Sequence, residues 1–212
     1  MITIYHLDRS RSERPVWLME ELGGPYKIEH FDRLETWEAE PAYKKLHPLG
    51  SSPVISVDGT IIAESGAVVE YLATMCGGGR LAVKPGAVNY AEYLFWFHFA
   101  EASLMPEVTR EIMSEAGGVP HDNPGREYSR QRTAKYLAHV EARLGEAPFF
   151  AGDEFTAADI MMTFVFTTTR LFTPLDLEAY PKLRAYLERI EARPAYQRSQ
   201  RIAGPNRDRH VM

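Results

Sequence analysis

The stretch PVISVDGTIIAES (residues 53–65) decides the fold of the first part of the chain. Two runs rich in β-branched residues flank Asp58-Gly59, a dipeptide typical of the two-residue turn of a β-hairpin. Apolar residues then recur at helical spacing, at Ala67, Val68, Tyr71, Leu72 and Met75. The stretch therefore predicts an antiparallel strand pair that leads directly into a helix.

The residues before this stretch predict the rest of the sheet. Residues 2–6 have the pattern of a buried strand, residues 16–22 that of a helix, and residues 26–31 that of a second strand. Gly23-Gly24 ends the helix, since glycine is favoured just past a helix C-terminus. The order β-α-β-(α)-β-β-α combines a parallel strand pair with the hairpin, so a mixed four-stranded sheet is predicted.

The stretch CGGGRLAVKPGAV (residues 76–88) interrupts both patterns and marks a boundary. Beyond it strand signals almost vanish. Apolar periodicity predicts helices over residues 89–115, around residues 136–144 and around residues 183–190. The sequence therefore predicts an all-helical second part.

These patterns together predict a fold class and three segments. The fold class is an α/β domain followed by an all-α bundle. The predicted segments are a sheet-containing domain over residues 1–80, a linker over residues 81–87 and a helical domain over residues 88–212.

Composition excludes several function classes. The chain has 212 residues with a net charge of -5, which argues against a broad nucleic-acid footprint. Its single cysteine, Cys76, excludes an internal disulfide framework, and no metal site is predicted. We interpret Cys76 as buried or incidental, because it falls at a helix end beside the linker. No secretory signal and no apolar run of about 18 residues is present, so we expect a cytoplasmic protein with no membrane partner.

Two serines compete to begin the first helix. Ser10 has the capping-box spacing with Glu13, but it would place Pro15 at the fifth helical position. There the proline would remove a helical hydrogen bond and its ring would clash. Ser12 as N-cap places Pro15 where the N–H has no intrahelical partner anyway. Ser12 is therefore the predicted cap, which leaves Ser10 as a donor to an anion at the helix N-terminus or as an exposed loop serine.

The stretch FTAADIMMTF (residues 155–164) carries a second helix start. Thr156 is a suitable N-cap, and the Asp159 carboxylate can return a hydrogen bond to it. Phe155 and Ile160 have the spacing of a hydrophobic staple. We interpret Asp159 as structural rather than catalytic, because this geometry occupies its oxygens.

Taken together, these motifs resemble a cytosolic glutathione S-transferase of the serine type. The resemblance rests on a loop serine four residues before Arg14, on HPLGSSPVI (residues 47–55), on AESGAVVEYL (residues 63–72), and on the glycine-rich linker before a helical half. It covers essentially the whole chain. SRSERPVWLMEEL (residues 10–22) and FAEASLMP (residues 99–106) are most similar to a bacterial and fungal branch of that family.

The resemblance implies a fold and an activity. A thioredoxin-like N-terminal domain would bind glutathione as co-substrate, and the helical domain would hold a hydrophobic electrophile. It implies a transferase with a role in detoxification that can also reduce organic peroxides. It also implies a homodimer formed through the helices after Glu64 and after the linker. The alternative is a non-catalytic module with this fold that binds glutathione, another ligand or a protein.

The resemblance also implies residue roles. Ser10 occupies the position of the hydroxyl that points at the glutathione sulfur. Pro53 resembles the family's cis-proline, beside a backbone that pairs with the cysteinyl part of glutathione, and Glu64 and Ser65 match the pair that receives the γ-glutamyl end. The predicted glutathione-binding residues are Arg11, Ser12, Lys45, Ser52, Pro53, Val54, Glu64 and Ser65.

One position departs from the family pattern. Ser51 stands where many members have a basic residue that helps to hold the glycyl carboxylate of glutathione. Arg11, Lys44, Lys45 and His47 are the alternatives that could compensate. The sequence does not choose between them.

The electrophile pocket has candidates on the helical part. They are Phe97, Glu101, Leu104 and Met105 on the first helix, and Phe166 and Arg170 on the far wall. The alternative interpretation of this aromatic stripe is core packing or a dimer interface.

The predicted chemistry is attack by the glutathione thiolate on an electrophilic carbon. A free thiol has a pKa of about 8.5, so most of it is protonated at neutral pH. A hydroxyl that donates to the sulfur stabilises the anion by about 1.5–3 kcal/mol, which equals about one to two pKa units. The helix N-terminus adds about 0.3–1 kcal/mol, so no general base is required.

Overall fold

The computed structural model describes residues 1–173 and 175–206, and these pack into two compact units. The first unit comprises residues 1–84 together with the described residues from Glu191 on, and the second comprises residues 85–190. The domain limits predicted from the sequence stay a prediction, and residues 207–212 of the predicted helical domain lie outside the described residues. The predicted limits did not include the return of residues 191–206 to the first unit.

The first unit contains a four-stranded mixed sheet. Its strands are β1 (Ile2–Leu7), β2 (Lys27–Phe31), β3 (Val54–Val57) and β4 (Thr60–Ala63), in the order β2-β1-β3-β4. β1 is parallel to β2 and antiparallel to β3, and β3 is antiparallel to β4. The predicted mixed sheet is confirmed.

The helices of the first unit are α1 (Glu13–Leu22), α2 (Pro41–Lys44), α3 (Ser65–Tyr71), which continues as a π-helical turn (Leu72–Cys76), and α9 (Pro194–Ala203). α1 ends as the glycine pair predicts. Gly23 has a left-handed φ of 69°, and its N–H donates to the Met19 carbonyl oxygen at 2.9 Å.

The last described helix, α9, packs on α1. The rings of Trp17 and Tyr196 lie edge to face with their centroids 4.8 Å apart. The Arg193 guanidinium binds both carboxylate oxygens of Glu21, at 2.7 and 2.9 Å. A bidentate pair of this kind fixes orientation as well as distance, so α9 anchors the helix whose N-terminus follows Ser10.

The second unit is helical. Its helices are α4 (Tyr90–Phe99), α5 (Met105–Ala116), α6 (Pro124–Glu146), α7 (Ala157–Phe166) and α8 (Pro181–Glu191). Large side chains that are fully or almost fully buried fill its core, among them Trp96, Phe97, Phe150, Phe166 and Tyr186. Among the described residues, no helix combines the length and the apolar character that a membrane crossing needs.

The helix predicted over residues 89–115 is interrupted. A π-helical turn (Ala100–Leu104) joins α4 to α5. Pro106 follows this turn, and a proline lacks the N–H and the room for a regular hydrogen bond to the residue four positions earlier. The wider π turn accommodates it.

The helix predicted around residues 136–144 begins earlier, at Pro124. Its cap is Asn123, whose Oδ1 accepts the backbone N–H groups of Gly125 at 2.9 Å and Arg126 at 3.2 Å. Asparagine before proline is a favourable helix start, so this signal was present in the sequence and was missed. The helix ends one residue beyond the predicted Gly145.

α7 begins with the predicted capping box. Asp159 Oδ2 accepts the backbone N–H of Thr156 at 2.8 Å, and Asp159 Oδ1 accepts that of Phe150 at 3.0 Å. The Tyr186 hydroxyl also donates to Oδ1, at 3.2 Å. Burial raises the pKa of Asp159 to about 6, against the effect of these donors. These contacts support the structural interpretation of Asp159.

Two glycine substitutions should have opposite effects. A Cβ added at Gly77 would lie 2.6 Å from the Ala73 carbonyl oxygen and 2.8 Å from Leu22 Cδ2, which is too close. A Cβ added at Gly145 in α6 would meet no described atom within 4 Å beyond the helix's own backbone. Gly77→Ala is therefore expected to lower the free energy of unfolding by about 1–3 kcal/mol. Gly145→Ala is expected to raise it by about 0.5–1 kcal/mol. Urea denaturation measures both, and a Gly77→Ala protein as stable as the parent would contradict the prediction.

Candidate active site

Ser10 lies in the loop between β1 and α1, and it is buried. Only 5% of the residue is exposed. Its Oγ donates to the Leu7 carbonyl oxygen at 2.7 Å, and it lies 2.8 Å from Ser12 Oγ and 2.7 Å from Ser52 Oγ. The alternative of an exposed loop serine is therefore wrong, because the end of β1 and the loop before β3 enclose the hydroxyl.

Ser12 directly precedes α1, but the predicted side-chain cap is wrong. Its backbone is already helical, with φ -69° and ψ -7°. Its Oγ turns back to β1, where it accepts the Leu7 N–H at 3.1 Å and lies 2.9 Å from His6 Nδ1. The Glu13 N–H donates instead to the Ser10 carbonyl oxygen, at 3.1 Å. A turn of the loop satisfies the first helical N–H groups, so the hydroxyl is used elsewhere.

The loop before β3 contains the predicted cis-proline. The Ser52-Pro53 peptide bond is cis, and Val54, the first residue of β3, is fully buried. Val54 pairs with Tyr5 of β1 and belongs to the same buried apolar cluster as Leu7. This cluster holds the end of β1 and the start of β3 together, which brings Ser52 to Ser10.

Glu64 and Ser65 form the start of α3. Glu64 is exposed and has φ 76° and ψ 126°, a backbone conformation that is strained for a residue with a side chain. Ser65 is buried, and its Oγ accepts a hydrogen bond from Arg14 Nη1 at 3.0 Å. Arg14 is 1% exposed, in line with a structural role on the first turn of α1.

The basic candidates for the glycyl carboxylate differ in their surroundings. Arg11 is half-buried in the loop before α1, and Lys45 is exposed at the end of α2. Lys44 Nζ pairs with Glu38 at 2.8 Å, and both side chains are exposed. His47 Nδ1 accepts a backbone N–H two residues along the chain at 3.3 Å. Lys44 thus has an acidic partner at the surface, and the four alternatives for the glycyl carboxylate stay open.

Arg33 is a residue that the sequence reasoning missed. Its guanidinium donates to the carbonyl oxygens of Asp8 at 2.9 Å, Trp37 at 2.6 Å and Arg9 at 3.4 Å. Burial lowers the pKa of Arg33 from its ordinary value. Arg33 thereby ties the loop that carries Ser10 to the segment after β2. No local pattern in the sequence marks Arg33, because two of the carbonyl oxygens that it binds are distant along the chain.

The electrophile-pocket candidates separate into two groups. Phe97, Leu104 and Phe166 are buried, which favours the alternative interpretation of core packing for these three. Glu101 and Met105 are half-buried, and Arg170 is exposed. Arg170 lines a groove of about 620 Å³ together with Thr167, Leu171, Leu175 and Asp176. A pocket role stays a prediction for all six candidates.

Two further groups of side chains bear on the predictions. Cys76 is exposed, so of the two interpretations, buried or incidental, the buried one is wrong. Among the described residues, Glu111, Glu115 and His121 bring possible metal ligands together. The Arg126 guanidinium binds both carboxylates, at 2.7 Å from Glu111 and in direct contact with Glu115, so these oxygens already have a cationic partner.

Comparisons with known proteins agree with these features. Residues 10–75 match the family described as "Glutathione S-transferase, N-terminal domain", and residues 96–194 match "Glutathione S-transferase, C-terminal domain". Glutathione S-transferase 3 of Schizosaccharomyces pombe is 35% identical over 208 residues, which covers 92% of this chain and 85% of that protein.

Solved structures show the same fold. A glutathione S-transferase from Actinobacillus pleuropneumoniae superposes with a TM-score of 0.88 at 28% identity, over 97% of this chain and 95% of that chain. A family member from Pseudomonas fluorescens Pf-5 with two glutathione molecules bound superposes with a TM-score of 0.80 at 22% identity, over 93% of this chain and 91% of that chain. The second likeness concerns the fold alone.

Proposed function

The chain belongs to the glutathione S-transferase family and is a glutathione transferase, and we propose that Ser10 holds the glutathione thiol as a thiolate for attack on a hydrophobic electrophile. The observation that carries this proposal is the buried Ser10 hydroxyl at the end of β1, 2.7 Å from Ser52 beside the cis-proline. A hydroxyl in a largely dehydrated position is a stronger donor to an anion than one in water.

The proposed activation needs one hydrogen bond and no protein base. Ser10 donates to the sulfur, and the thiol proton leaves to solvent. A hydrogen bond to a charged group contributes about 1.5–3 kcal/mol, which lowers the thiol pKa of about 8.5 by about one to two units. The first N–H groups of α1 already bond to the carbonyl oxygens of Ser10 and Arg11, so this helix contributes through its partial charge alone, by about 0.3–1 kcal/mol.

The thiolate then reacts in one of two ways. In conjugation its lone pair forms a bond to the electrophilic carbon, and the leaving group departs with its bonding electrons. In peroxide reduction it attacks a peroxide oxygen, which releases an alkoxide and leaves a sulfenic acid on glutathione. A second glutathione thiol then displaces water from that sulfenic acid and forms glutathione disulfide.

Glutathione is proposed to lie along β3 and the start of α3. The backbone of Val54 would pair with its cysteinyl part, and Glu64 and Ser65 would hold its γ-glutamyl end. Two features of these residues support the proposal. Ser65 lies at a helix N-terminus, which favours a carboxylate, and the exposed Glu64 carboxylate beside it suits an ammonium group.

Ser65→Ala tests this part of the proposal. We expect the dissociation constant of glutathione to rise about ten- to a hundredfold, because a hydrogen bond to a charged carboxylate, worth about 1.5–3 kcal/mol, is lost. The turnover number at saturating glutathione should change little, since the sulfur is held elsewhere. Isothermal titration calorimetry measures the affinity, with Ser56→Ala in β3 as the control. An unchanged dissociation constant would remove Ser65 from the binding site.

A cytoplasmic homodimer is also proposed from family membership. Two large apolar side chains support it, since Met75 after α3 is 67% exposed and Phe95 on α4 is 46% exposed. These lie on the helices after Glu64 and after the linker, where the interface was expected. Light scattering in solution would give the mass of one chain if this expectation is wrong.

The activity itself is tested in two steps. The protein is first passed over immobilised glutathione, and conjugation of a chloro-nitroaromatic electrophile and reduction of an organic peroxide are then assayed. Retention with turnover is the expected result. Retention without turnover across several electrophiles and peroxides would instead favour a glutathione-binding module.

A further inference from the structure

The Leu7 carbonyl oxygen lies within reach of two serine hydroxyls. Ser10 Oγ is 2.7 Å from it, and Ser12 Oγ is 3.2 Å from it. Ser12 is completely buried. Its other side-chain contacts are with Ser10 Oγ at 2.8 Å and, in β1, with the Leu7 N–H and His6 Nδ1. One backbone acceptor is therefore shared by the proposed sulfur donor and by a neighbour that the sequence interpreted as a helix cap.

Ser10 has too few hydrogens to serve both the Leu7 carbonyl and a sulfur atom. A serine hydroxyl has one hydrogen to donate and two lone pairs that accept. While Ser10 donates to the Leu7 carbonyl, it has no hydrogen left for a sulfur atom. A buried carbonyl that loses its hydroxyl donor is destabilised unless another donor replaces it. Ser12 is close enough to be that replacement.

We propose that Ser12, oriented by His6, takes over the Leu7 carbonyl when Ser10 turns its hydroxyl hydrogen to the bound thiolate. This inference rests on the proposed function. Ser12 and His6 are then positioning residues, which act on the sulfur through Ser10. The contact between Ser10 and Ser12 then does more than join α1 to β1. It lets the Ser10 hydroxyl leave the Leu7 carbonyl and donate to the sulfur.

In the proposed arrangement every hydroxyl hydrogen has an acceptor. No hydrogen then lies between Ser10 Oγ and Ser12 Oγ, which are 2.8 Å apart here, so the two oxygens separate as Ser10 turns to the sulfur. Ser12 donates to the Leu7 carbonyl and accepts from the Leu7 N–H and from His6 Nδ1–H. Ser10 donates to the sulfur and accepts from the Ser52 hydroxyl and from the Ser12 backbone N–H, which lies 3.3 Å from its Oγ. Each serine thus donates once and accepts twice. A hydroxyl that accepts two hydrogen bonds is also polarised into a better donor.

The experiment titrates the thiol of bound glutathione by its thiolate absorbance in the ultraviolet, at saturating glutathione. Ser12→Ala should raise the thiol pKa by about half to one unit, because the Leu7 carbonyl then competes for the Ser10 hydrogen. His6→Leu should raise it similarly, because Ser12 loses its orienting donor. His6→Asn places an amide nitrogen near the position of Nδ1, so it should restore the thiol pKa to within a few tenths of the parent value.

Three outcomes decide between this proposal and its alternatives. If Ser12→Ala and His6→Leu lower the unfolding midpoint but leave the thiol pKa at the parent value, the contacts only join α1 to β1 and the inference fails. Ser10→Ala is titrated in parallel, and an unchanged thiol pKa in that variant would overturn the proposed function itself. Should Ser12→Ala fail to fold, equal thiol pKa values in His6→Leu and His6→Asn would overturn the inference.

Discussion

Ser10→Ala is expected to raise the thiol pKa of bound glutathione by about one to two units. It should also lower kcat/KM at neutral pH by about ten- to a hundredfold. The reason is the loss of one hydrogen bond to a charged sulfur, worth about 1.5–3 kcal/mol, at 1.36 kcal/mol per pKa unit. The affinity for glutathione should change less, because the proposed contacts at Glu64 and Ser65 remain. Thiolate absorbance and steady-state kinetics with a chloro-nitroaromatic electrophile measure both quantities.

The pH dependence separates this effect from a general loss of structure. A raised thiol pKa moves the activity profile to higher pH, so the ratio of parent to Ser10→Ala activity should fall as the pH rises past both thiol pKa values. A misfolded variant would instead show a ratio that stays constant with pH. Ser114→Ala on α5 serves as the control and should match the parent throughout. A constant ratio for Ser10→Ala would show that its hydroxyl does not set the thiol pKa.

Local chain signals were sufficient to predict most of the fold. The Asp58-Gly59 turn, the glycine pair after α1 and the Thr156 cap each act over a few residues, and the structure contains all three. The packing of α9 on α1 was not predictable in this way. It depends on contacts such as Trp17 with Tyr196 between distant parts of the chain, and no local pattern encodes such a pairing.

The candidate site shows the same division. The position of Ser12 before α1 followed from Pro15, but the direction of its hydroxyl did not, because the contacts that decide it are with His6 and Leu7 at the end of β1. Likewise the role of Arg33 depends on three carbonyl oxygens that converge in space. Spacing along the chain predicts which residues enter a site, whereas tertiary contacts decide which atoms meet.

Asp159→Ala is expected to lower the free energy of unfolding by about 3–5 kcal/mol. Two buried N–H groups, those of Phe150 and Thr156, would lose their acceptor, at a cost of about 1–3 kcal/mol each. Domains are typically stable by about 5–15 kcal/mol, so the loss would be a large fraction of the total. Chemical denaturation measures it. Asp153→Ala, an exposed neighbour, should stay within about 0.5 kcal/mol of the parent, and an equally small loss at Asp159 would contradict this interpretation.

The pH dependence of Asp159→Asn tests the charge state of this buried carboxyl. Burial raises the pKa of Asp159 to about 6, whereas an aspartate in an unfolded chain has a pKa of about 3.9. Between these values the folded protein binds more protons than the unfolded chain, so the contribution of this group to stability falls as the pH rises from about 4 to about 6. The fall can reach about 3 kcal/mol. Asparagine does not titrate, so the stability advantage of the parent over Asp159→Asn should shrink across this range. Four groups donate to this carboxylate: the N–H groups of Phe150 and Thr156 and the hydroxyls of Thr156 and Tyr186. An advantage that grew with pH would mean that these donors outweigh its burial and hold the pKa below its ordinary value.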